Sequence, residues 1–264
     1  MAYGSRKREV DVVHEVSFSI GKGETLALVG ESGSGKSTIG KAIVGLTPVK
    51  SGSISLGGRE ITHMRGKARR LLASELQMIF QNPYGSLNPA MTVGSTLVEP
   101  LVAAGGLSRA EAGDRVAQLL HRVNLPADAA HRRPAAFSGG QRQRIAIARA
   151  VALQPSLIVC DEPTSALDVS TQAAVLDLLA ELQKDLGVSY LFISHDLAVV
   201  RRFASRVMVL ERGRVVEEGS TAKICTAPSH PYTAALVAAA PVPDPRIQRM
   251  RRESRLAERA GVVK

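Results

Sequence analysis

The chain has 264 residues, of which 45% are hydrophobic and 22% charged. This length suits one full α/β core, alone or with an inserted subdomain, and is too short for two such domains. Aromatic residues make up 3% of the chain and tryptophan is absent, so Ala, Val, Leu and Ile must build the core. The formal net charge of +10 favours an anionic partner, and it leaves nucleic acid, lipid headgroups and a small anion open.

Targeting signals and cysteine usage indicate where the chain is expected to work. The longest apolar run near the C-terminal end, residues 234–240, is far shorter than the roughly 20 residues of a membrane-spanning helix. The basic residues 6–8 are followed by acidic residues rather than by the apolar core of a signal peptide. Cys160 and Cys225 have no pairing or metal-binding spacing and predict reduced thiols. We therefore expect a cytoplasmic protein.

Predicted strands and helices alternate through most of the chain. The first part predicts strands over 16–20 and 25–29, a helix over 36–46 and a hairpin over 53–61. The last part predicts a strand over 157–160, a helix over 171–186, a strand over 190–193, a helix over 197–204 and a hairpin over 207–217. Buried strands that alternate with helices indicate a mostly parallel sheet covered on both faces.

The middle section, about residues 93–152, has a different character. It is rich in Ala, Leu and Arg and shows helical periodicity over 110–123 and 141–153. This pattern predicts a helical subdomain inserted into the sheet domain. We expect residues 1–240 to form one domain with this insertion, and residues 241–264 to form a basic C-terminal tail.

A glycine-rich segment between the strand at 25–29 and the helix at 36–46 fits the pattern GxxxxGK[ST]. Glycines allow the positive φ angles with which backbone N–H groups wrap round phosphate oxygens, and the following helix turns the positive end of its dipole to the same phosphates. Lys36 would add a charge to the β- and γ-phosphates, and Ser37 would give Mg²⁺ a hydroxyl ligand. The predicted nucleotide-binding residues of this segment are Gly30, Glu31, Ser32, Gly33, Ser34, Gly35, Lys36, Ser37 and Thr38.

The apolar strand at 157–160 leads into two carboxylates, Asp161 and Glu162. Ligands of open α/β sheets bind at the carboxyl ends of the strands, so Asp161 is suited to hold hydrated Mg²⁺. Glu162 would point elsewhere, to orient and deprotonate an attacking water. An apolar run before Asp-Glu is often only a strand end, but beside the glycine-rich loop it indicates nucleotide hydrolysis.

A third segment, Ser138-Gly-Gly-Gln141, begins an Ala- and Ile-rich helix. Ser138 is suited to cap this helix, and Gly139 and Gly140 permit close approach of the backbone to a ligand. The helix start is thus a second anion-binding device, although the chain has one phosphate-loop lysine. We expect the segment to clamp a nucleotide held by another subunit, whereas taken alone it is also compatible with an ordinary capped helix.

These three segments resemble the ABC ATPase family across nearly the whole chain. The family's signature appears as Phe137-Ser-Gly-Gly-Gln141, with Phe in place of the usual Leu. The resemblance implies that Gln81 is the Q-loop glutamine, that His195 is the switch histidine that polarises the γ-phosphate, and that Asp168 belongs to a nucleotide-contacting D-loop. The implied fold is α/β, a P-loop NTPase (RecA-like) core with a mostly parallel sheet, an antiparallel β subdomain and the inserted α-helical subdomain.

Tyr3 lies at about the distance before the loop at which the family places an aromatic residue that stacks on adenine. In the family a β-strand precedes that residue, and no such strand precedes Tyr3. The alternative interpretation is a mobile N-terminal tyrosine without a ligand.

Residues 81–89 and 228–243, the latter with His230-Pro-Tyr232, look like the oligopeptide and dipeptide importer ATPases. The resemblance implies a bacterial ATPase on the cytoplasmic face of the membrane that binds ATP and Mg²⁺. The implied catalytic residues are Glu162, His195 and Gln81, and the implied Mg²⁺ ligands are Ser37, Gln81 and Asp161. The implied partners are transmembrane permease subunits, a second ABC ATPase of the same or a related kind and, indirectly, an extracytoplasmic substrate-binding protein.

Two alternatives to a transport ATPase fit part of the same sequence. A soluble ABC-type ATPase that acts on nucleic acid or ribosomes would suit the net charge of +10. Such proteins typically carry two cassettes or a long coiled-coil insertion. The sequence shows neither feature, so no nucleic-acid partner is expected. A P-loop kinase would leave the Ser138-Gly-Gly-Gln141 segment unexplained. Oligopeptides or dipeptides are the expected cargo, although nickel, glutathione and some sugars stay open, because such an ATPase does not touch its cargo.

Overall fold

The computed structural model describes residues 2–3, 10–105 and 107–240. In chain order its strands are β1 Ala2–Tyr3, β2 Val10–Asp11, β3 Thr25–Val29, β4 Ser55–Leu56, β5 Arg59–Glu60, β6 Leu76–Ile79, β7 Leu157–Asp161, β8 Ser189–Ser194, β9 Arg206–Glu211 and β10 Arg214–Ser220. Its helices are α1 Lys36–Ile43, α2 Gly66–Leu72, α3 Pro83–Ser86, α4 Val93–Ala103, α5 Arg109–Arg122, α6 Gly139–Val151, α7 Val169–Leu186, α8 Leu197–Phe203, α9 Thr221–Thr226 and α10 Pro231–Ala239. The 3₁₀ turns Ala127–His131 and Pro134–Ala136 lie between α5 and α6.

A six-stranded sheet in the order β10-β9-β3-β8-β7-β6 forms the centre of the described residues. Strand β3 pairs in parallel with β8 and β9, and β7 pairs in parallel with β6 and β8. The β9–β10 hairpin is antiparallel. Since β3, β8 and β7 are neighbours and run the same way, the loops that follow them meet at one edge of the sheet.

The sheet separates two apolar cores because successive side chains of a strand point to opposite faces. Ala27 and Val29 of β3 belong to a large core that continues through helices α4 to α7. Leu26 and Leu28 belong to a second core that Ile39 of α1 joins from the other face. Helix α1 is therefore packed against the sheet with its first turn beside the end of β3.

Most predicted elements are present within a few residues of their expected bounds, and the exceptions have identifiable causes. The predicted strand over 16–20 is wrong, because these residues alternate between exposed and half-buried but form no ladder with a neighbouring strand. Val16, Phe18 and Ile20 pack on the second core without it. The helix predicted over 36–46 ends at Ile43, shortly before Gly45 turns the chain with a φ of 70°.

The antiparallel β structure outside the central sheet consists, in the described residues, of two short ladders. The hairpin predicted over 53–61 is present as β4 and β5. Strands β1 and β2 pair two residues each, so the backbone of Tyr3 lies opposite Val10. The side chain of Tyr3 and the predicted tail, 241–264, lie outside the described residues, and adenine stacking by Tyr3 stays a prediction.

The segment predicted to be helical contains α4, α5, the two 3₁₀ turns and α6. Ser108 begins α5 with a capping box in which its hydroxyl and the Glu111 carboxylate each accept a backbone N–H.

No helix within residues 2–3, 10–105 and 107–240 has both the length and the apolarity needed to cross a bilayer.

Candidate functional site

The loop between β3 and α1 has the backbone geometry of an anion cradle. Gly30, Gly33 and Gly35 have φ angles of 152°, 82° and 104°, which favour glycine over residues with a Cβ. A Cβ on Gly30 would collide with the carbonyl oxygen of Leu210 in β9. The glycines therefore let the loop bend back on itself and pack against the sheet, so that the first turn of α1 faces the enclosed space.

Lys36 is 4% exposed and is enclosed by its own loop. Its Nζ donates hydrogen bonds of 2.7 Å to the carbonyl oxygens of Gly30 and Glu31, and a longer one of 3.4 Å to Ser34 Oγ. Burial lowers the pKa of Lys36, although Glu162, Asp161 and Glu31 oppose this shift. A buried ammonium held by two carbonyls is prepared to bind an anion.

Ser37 and Asp161 bring the loop and the end of β7 together. Ser37 Oγ donates a 2.7 Å hydrogen bond to Asp161 Oδ1. Asp161 is 5% exposed, and burial raises the pKa of its carboxyl while the bond from Ser37 lowers it. A hydroxyl and a buried carboxylate at this distance are hard oxygen ligands of the kind that Mg²⁺ takes together with phosphate oxygens and water.

Within the described residues, no group of three or more His, Cys, Asp or Glu side chains could hold a metal ion without other ligands. The residues present nevertheless fit Mg²⁺, since this ion commonly uses one or two carboxylates and takes its remaining ligands from water and substrate phosphates.

Glu162 is the meeting point of two polar side chains from different loops. Gln81 Nε2 donates a 3.0 Å hydrogen bond to Glu162 Oε2, and His195 Nδ1 lies 3.2 Å from the same oxygen. Glu162 itself has a φ of 47°, and its N–H donates to the carbonyl oxygen of Ile193 in β8. The Glu162 carboxylate thus has different partners from Asp161, which is bonded to Ser37.

These side chains line a cavity of about 630 Å³ at the carboxyl edge of the sheet. Its lining residues are Val12, Ser32, Gly33, Gly35, Lys36, Ser37, Thr38, Gln81, Glu162 and His195. The cavity therefore unites six predicted residues of the loop and its helix start with the three predicted catalytic residues. Val12 was not predicted, because a lone apolar residue carries no chemical signal.

The predicted signature residues lie apart from this cavity. Ser138 Oγ accepts a 3.3 Å hydrogen bond from Gln141 N–H, and Gln141 Oε1 accepts a 3.0 Å bond from Ser138 N–H, which gives α6 a capping box. None of residues 138–141 lines the cavity, and Gly139 lines an adjoining groove with Gln81, Glu162 and His195. The start of α6 is thus a capped helix start outside the cavity, and anion binding by residues 138–141 stays a prediction.

Gly140 and Asp168 meet through Thr171 at the start of α7. The Asp168 carboxylate accepts hydrogen bonds from Thr171 N–H at 2.9 Å and Thr171 Oγ1 at 2.7 Å, and caps the helix. A hydrogen bond from Ser170 Oγ, together with the two from Thr171, holds the pKa of Asp168 well below its usual range. A Cβ on Gly140 would collide with Thr171 Cγ2. The predicted D-loop and signature are therefore packed together within one chain, and neither lines the phosphate cavity.

Two backbone contacts on the loop were not predicted. Gly213, in the turn between β9 and β10, donates its N–H to the carbonyl oxygen of Ser34 at 2.9 Å. Tyr232 of α10 accepts a 2.9 Å hydrogen bond from Glu31 N–H through its hydroxyl oxygen. In the sequence the His230-Pro-Tyr232 segment is only a family marker, and nothing local places it against the loop.

The fold and the site define a P-loop nucleotide-binding domain with a second capped helix start, that of α6, outside its phosphate cavity. The sequence matches the ABC transporter family over residues 13–165, and a family described as oligopeptide/dipeptide transporter, C-terminal region, over residues 216–261. The chain therefore belongs to the ABC transporter family, as the signature and the loop predict.

Curated relatives of the chain include the glutathione import ATP-binding protein GsiA of two bacteria. GsiA of Pectobacterium atrosepticum is 49% identical over 238 residues, which cover 90% of this chain and 38% of that protein. GsiA of Escherichia coli K12 is 49% identical over 245 residues, which cover 93% of this chain and 39% of that protein. The chain spans about two fifths of the length of these relatives.

Solved structures with the same fold include two ATP-binding cassettes. MJ0796, described as a dimeric post-hydrolysis state bound to ADP and Pi, superposes with a TM-score of 0.75 at 30% identity, covering 83% of this chain and 95% of that chain. The protein cbiO1 of Clostridium perfringens, described as part of the ABC transporter complex cbiONQ, superposes with a TM-score of 0.76 at 26% identity, covering 86% and 88%. The predicted fold class is confirmed.

Proposed function

We propose that this chain is the ATP-hydrolysing subunit of an ABC importer that takes up peptides. The observation that carries the proposal is the single cavity in which Lys36 and Ser37 face Glu162, Gln81 and His195. Each of these groups has a role in hydrolysis of a phosphoanhydride bond, and together they occupy one edge of the sheet.

The loop and Lys36 bind the phosphates of ATP. In the structure the Lys36 ammonium is already desolvated and held by the carbonyl oxygens of Gly30 and Glu31. Phosphate oxygens are stronger acceptors than a neutral hydroxyl, so the donor that makes the longer 3.4 Å bond to Ser34 Oγ turns to a phosphate when ATP enters. The first turn of α1 adds its N–H groups and its dipole.

Glu162 acts as the general base. Its carboxylate oxygen Oε2 is oriented from both sides by Gln81 Nε2 and by His195 Nδ1, so its other oxygen is available to accept a proton from water. His195 is more than half exposed, which allows it to turn towards a γ-phosphate. Mg²⁺ held by Ser37, Gln81 and Asp161 would neutralise charge on the β- and γ-phosphates.

A second cassette completes each site. Ser138, Gly140 and Gln141 lie at a capped helix start that faces no phosphate cavity of its own chain, as expected if they contact the γ-phosphate held by a partner. The partner is a second copy of this chain or a related cassette, and MJ0796 is described as dimeric. Closure of the two cassettes round ATP and their reopening after hydrolysis would supply the motion.

The remaining parts of the transporter follow from the family and the C-terminal region. The match over residues 216–261 and the likeness to GsiA support a peptide-type cargo. We place the chain at the cytoplasmic face of a bacterial membrane, where residues 81–89 contact permease subunits and a substrate-binding protein delivers the cargo from outside. The helix α3 within this segment exposes the large side chain of Tyr84 to solvent, in keeping with a docking role.

Two measurements test the proposal. Purified chain with MgATP should release phosphate, and Lys36→Ala should reduce the rate by about a hundredfold or more, because it removes the charge that faces the phosphates. With its permease subunits in vesicles, the chain should accumulate peptide only when ATP is supplied. A chain that binds no nucleotide, or one whose Lys36→Ala variant keeps the full rate, would contradict the proposal.

A further inference from the structure

The C-terminal helix α10 reaches the phosphate-binding loop through the side chain of Tyr232. The hydroxyl oxygen of Tyr232 accepts a 2.9 Å hydrogen bond from Glu31 N–H, a residue 201 positions earlier in the chain. Neither residue lines the phosphate cavity. The proposed mechanism uses the residues that line this cavity, so the contact between Tyr232 and Glu31 has no role in that mechanism.

The bond to Tyr232 completes a grip on a single peptide group. The carbonyl of Gly30 and the N–H of Glu31 belong to one planar unit. The carbonyl accepts a 2.7 Å hydrogen bond from Lys36 Nζ, while the N–H donates to Tyr232. Rotation of this unit would break both bonds at once. Tyr232 and Lys36 therefore fix the plane of the first peptide in the loop.

The position of this peptide decides where the Lys36 ammonium lies. Lys36 Nζ also donates to the Glu31 carbonyl at 2.7 Å, so two of its acceptors flank the N–H that Tyr232 holds. Gly30, with a φ of 152°, has no Cβ to restrict rotation at this point. The hydroxyl of Tyr232 supplies the restraint that the glycine lacks.

Tyr232 is itself anchored to the sheet. The Glu217 carboxylate of β10 accepts the backbone N–H of Ser229 at 2.7 Å and of His230 at 3.0 Å. His230 Nδ1 accepts the N–H of Tyr232 at 3.2 Å, and the tyrosine side chain packs on the large core. Burial raises the pKa of the Tyr232 phenol, which keeps it a neutral hydroxyl. A rigid connection thus runs from β10 to the loop.

We propose that Tyr232 is a positioning residue for ATP, through which the C-terminal segment holds the phosphate-binding loop in its binding geometry. This inference rests on the proposed ATPase function. Because Tyr232 does not line the cavity and acts only through the loop, loss of its hydroxyl should weaken ATP binding and leave the chemical step unchanged. A loop that must be ordered on binding loses affinity by the cost of that ordering.

The test compares Tyr232→Phe with wild type in the full chain. Tyr232→Phe keeps the ring and removes the hydroxyl, and we expect the KM for ATP to rise about three- to tenfold with kcat unchanged, the effect of one lost hydrogen bond. The dissociation constant of a fluorescent ATP analogue should rise by the same factor. The chain has no tryptophan, so no intrinsic indole signal interferes.

Tyr190→Phe is the matched control. The Tyr190 hydroxyl donates a 3.0 Å hydrogen bond to the carbonyl oxygen of Leu179. Tyr190 pairs with Thr25 at the start of β3, whereas the phosphate-binding loop follows the other end of that strand. Loss of this hydroxyl should lower the Tm without changing the KM. A second variant, Glu217→Ala, releases the start of α10 and should raise the KM while leaving kcat in place.

The outcomes separate this inference from the function on which it rests. A Tyr232→Phe chain with wild-type KM and analogue affinity, or one that loses kcat instead, overturns the positioning role. If Tyr232→Phe does not fold, an unchanged KM in folded Glu217→Ala overturns it equally. A wild-type chain that neither binds nor hydrolyses ATP overturns the proposed function together with this inference.

Discussion

Ser37 Oγ donates a 2.7 Å hydrogen bond to Asp161 Oδ1, although 124 positions separate the two residues in the chain. This bond joins the phosphate-binding loop after β3 to the end of β7. It places a buried carboxylate at the bottom of the site, where burial raises its pKa. The stability of the empty protein and its activity therefore depend on Asp161 in opposite directions.

Asp161→Asn should stabilise the empty protein. The pKa of an unfolded aspartate is ordinarily about 3.9, and burial raises the folded pKa of Asp161 above it. Such an acid stabilises the fold at a pH below its unfolded pKa. This stabilisation is lost as the pH rises through the folded pKa. At neutral pH wild type carries a buried charge, whereas the asparagine side chain would be neutral and would still accept the Ser37 bond. We expect the Tm in EDTA at pH 7.5 to rise by about 2 °C or more, and the gain to shrink as the pH falls towards 4. The same variant should lose MgATP hydrolysis, and a lower Tm at neutral pH would contradict this account of Asp161.

Glu162→Gln should separate ATP binding from hydrolysis. The amide keeps an oxygen that accepts from Gln81 and His195, but it cannot take a proton from water. The rate of phosphate release should fall by about a hundredfold or more, while the affinity for an ATP analogue stays within about twofold. Rapid hydrolysis by this variant would remove Glu162 from the role of base.

Gly140→Ala should act through Thr171. The new Cβ would collide with Thr171 Cγ2, and this methyl cannot turn away without breaking the bond that Thr171 Oγ1 donates to Asp168. Overpacking of this kind costs about 1–3 kcal/mol, and we expect a lower Tm in thermal denaturation.

Thr171→Ser is the matching partner for Gly140→Ala, because it removes the Cγ2 methyl and keeps the hydroxyl that bonds Asp168. The double variant should recover stability, with a coupling energy of at least about 0.5 kcal/mol in a double-mutant cycle. Strict additivity of the two substitutions would mean that Gly140 is required only by a ligand or partner.

Tyr84→Ala should affect coupling to the permease rather than hydrolysis by the isolated chain. The Arg142 guanidinium lies 4.0 Å from the centroid of the Tyr84 ring, while the residue remains largely exposed on α3. We expect the basal ATPase rate to stay within about twofold and the peptide-stimulated rate of the complete transporter to fall. Tyr84→Phe, which keeps the ring over Arg142, should behave like wild type. Equal rates in all three transporters would argue against docking through α3.

The site was predictable where its chemistry is local in sequence. The segment from Gly30 to Thr38 follows a buried apolar strand and begins a helix, so its local sequence is enough to predict a phosphate-binding loop. The end of β7 is equally local, because four apolar residues before Asp161 already define a buried strand. Neither prediction depends on contacts with distant parts of the chain.

Features that depend on distant partners were not predictable in the same way. Residues 16–20 do alternate between half-buried and exposed side chains, as the pattern predicts. A strand also needs a neighbouring strand to pair with, and within the described residues 16–20 pair with none. Strand β6 was missed because its pairing with β7 is decided by residues far along the chain. The bond between Tyr232 and Glu31, and the packing of Thr171 on Gly140, likewise arise only once the chain is folded.

The central claim is that each ATP is held between the loop of one cassette and the Ser138 helix start of another. Light scattering on the Glu162→Gln chain measures this directly, because a chain that binds ATP without hydrolysing it should double its mass when MgATP is added. Adding Ser138→Arg to that chain should abolish the ATP-dependent dimer while leaving binding of the ATP analogue to the monomer unchanged. A Glu162→Gln, Ser138→Arg chain that dimerises with MgATP as fully as Glu162→Gln alone would contradict the claim.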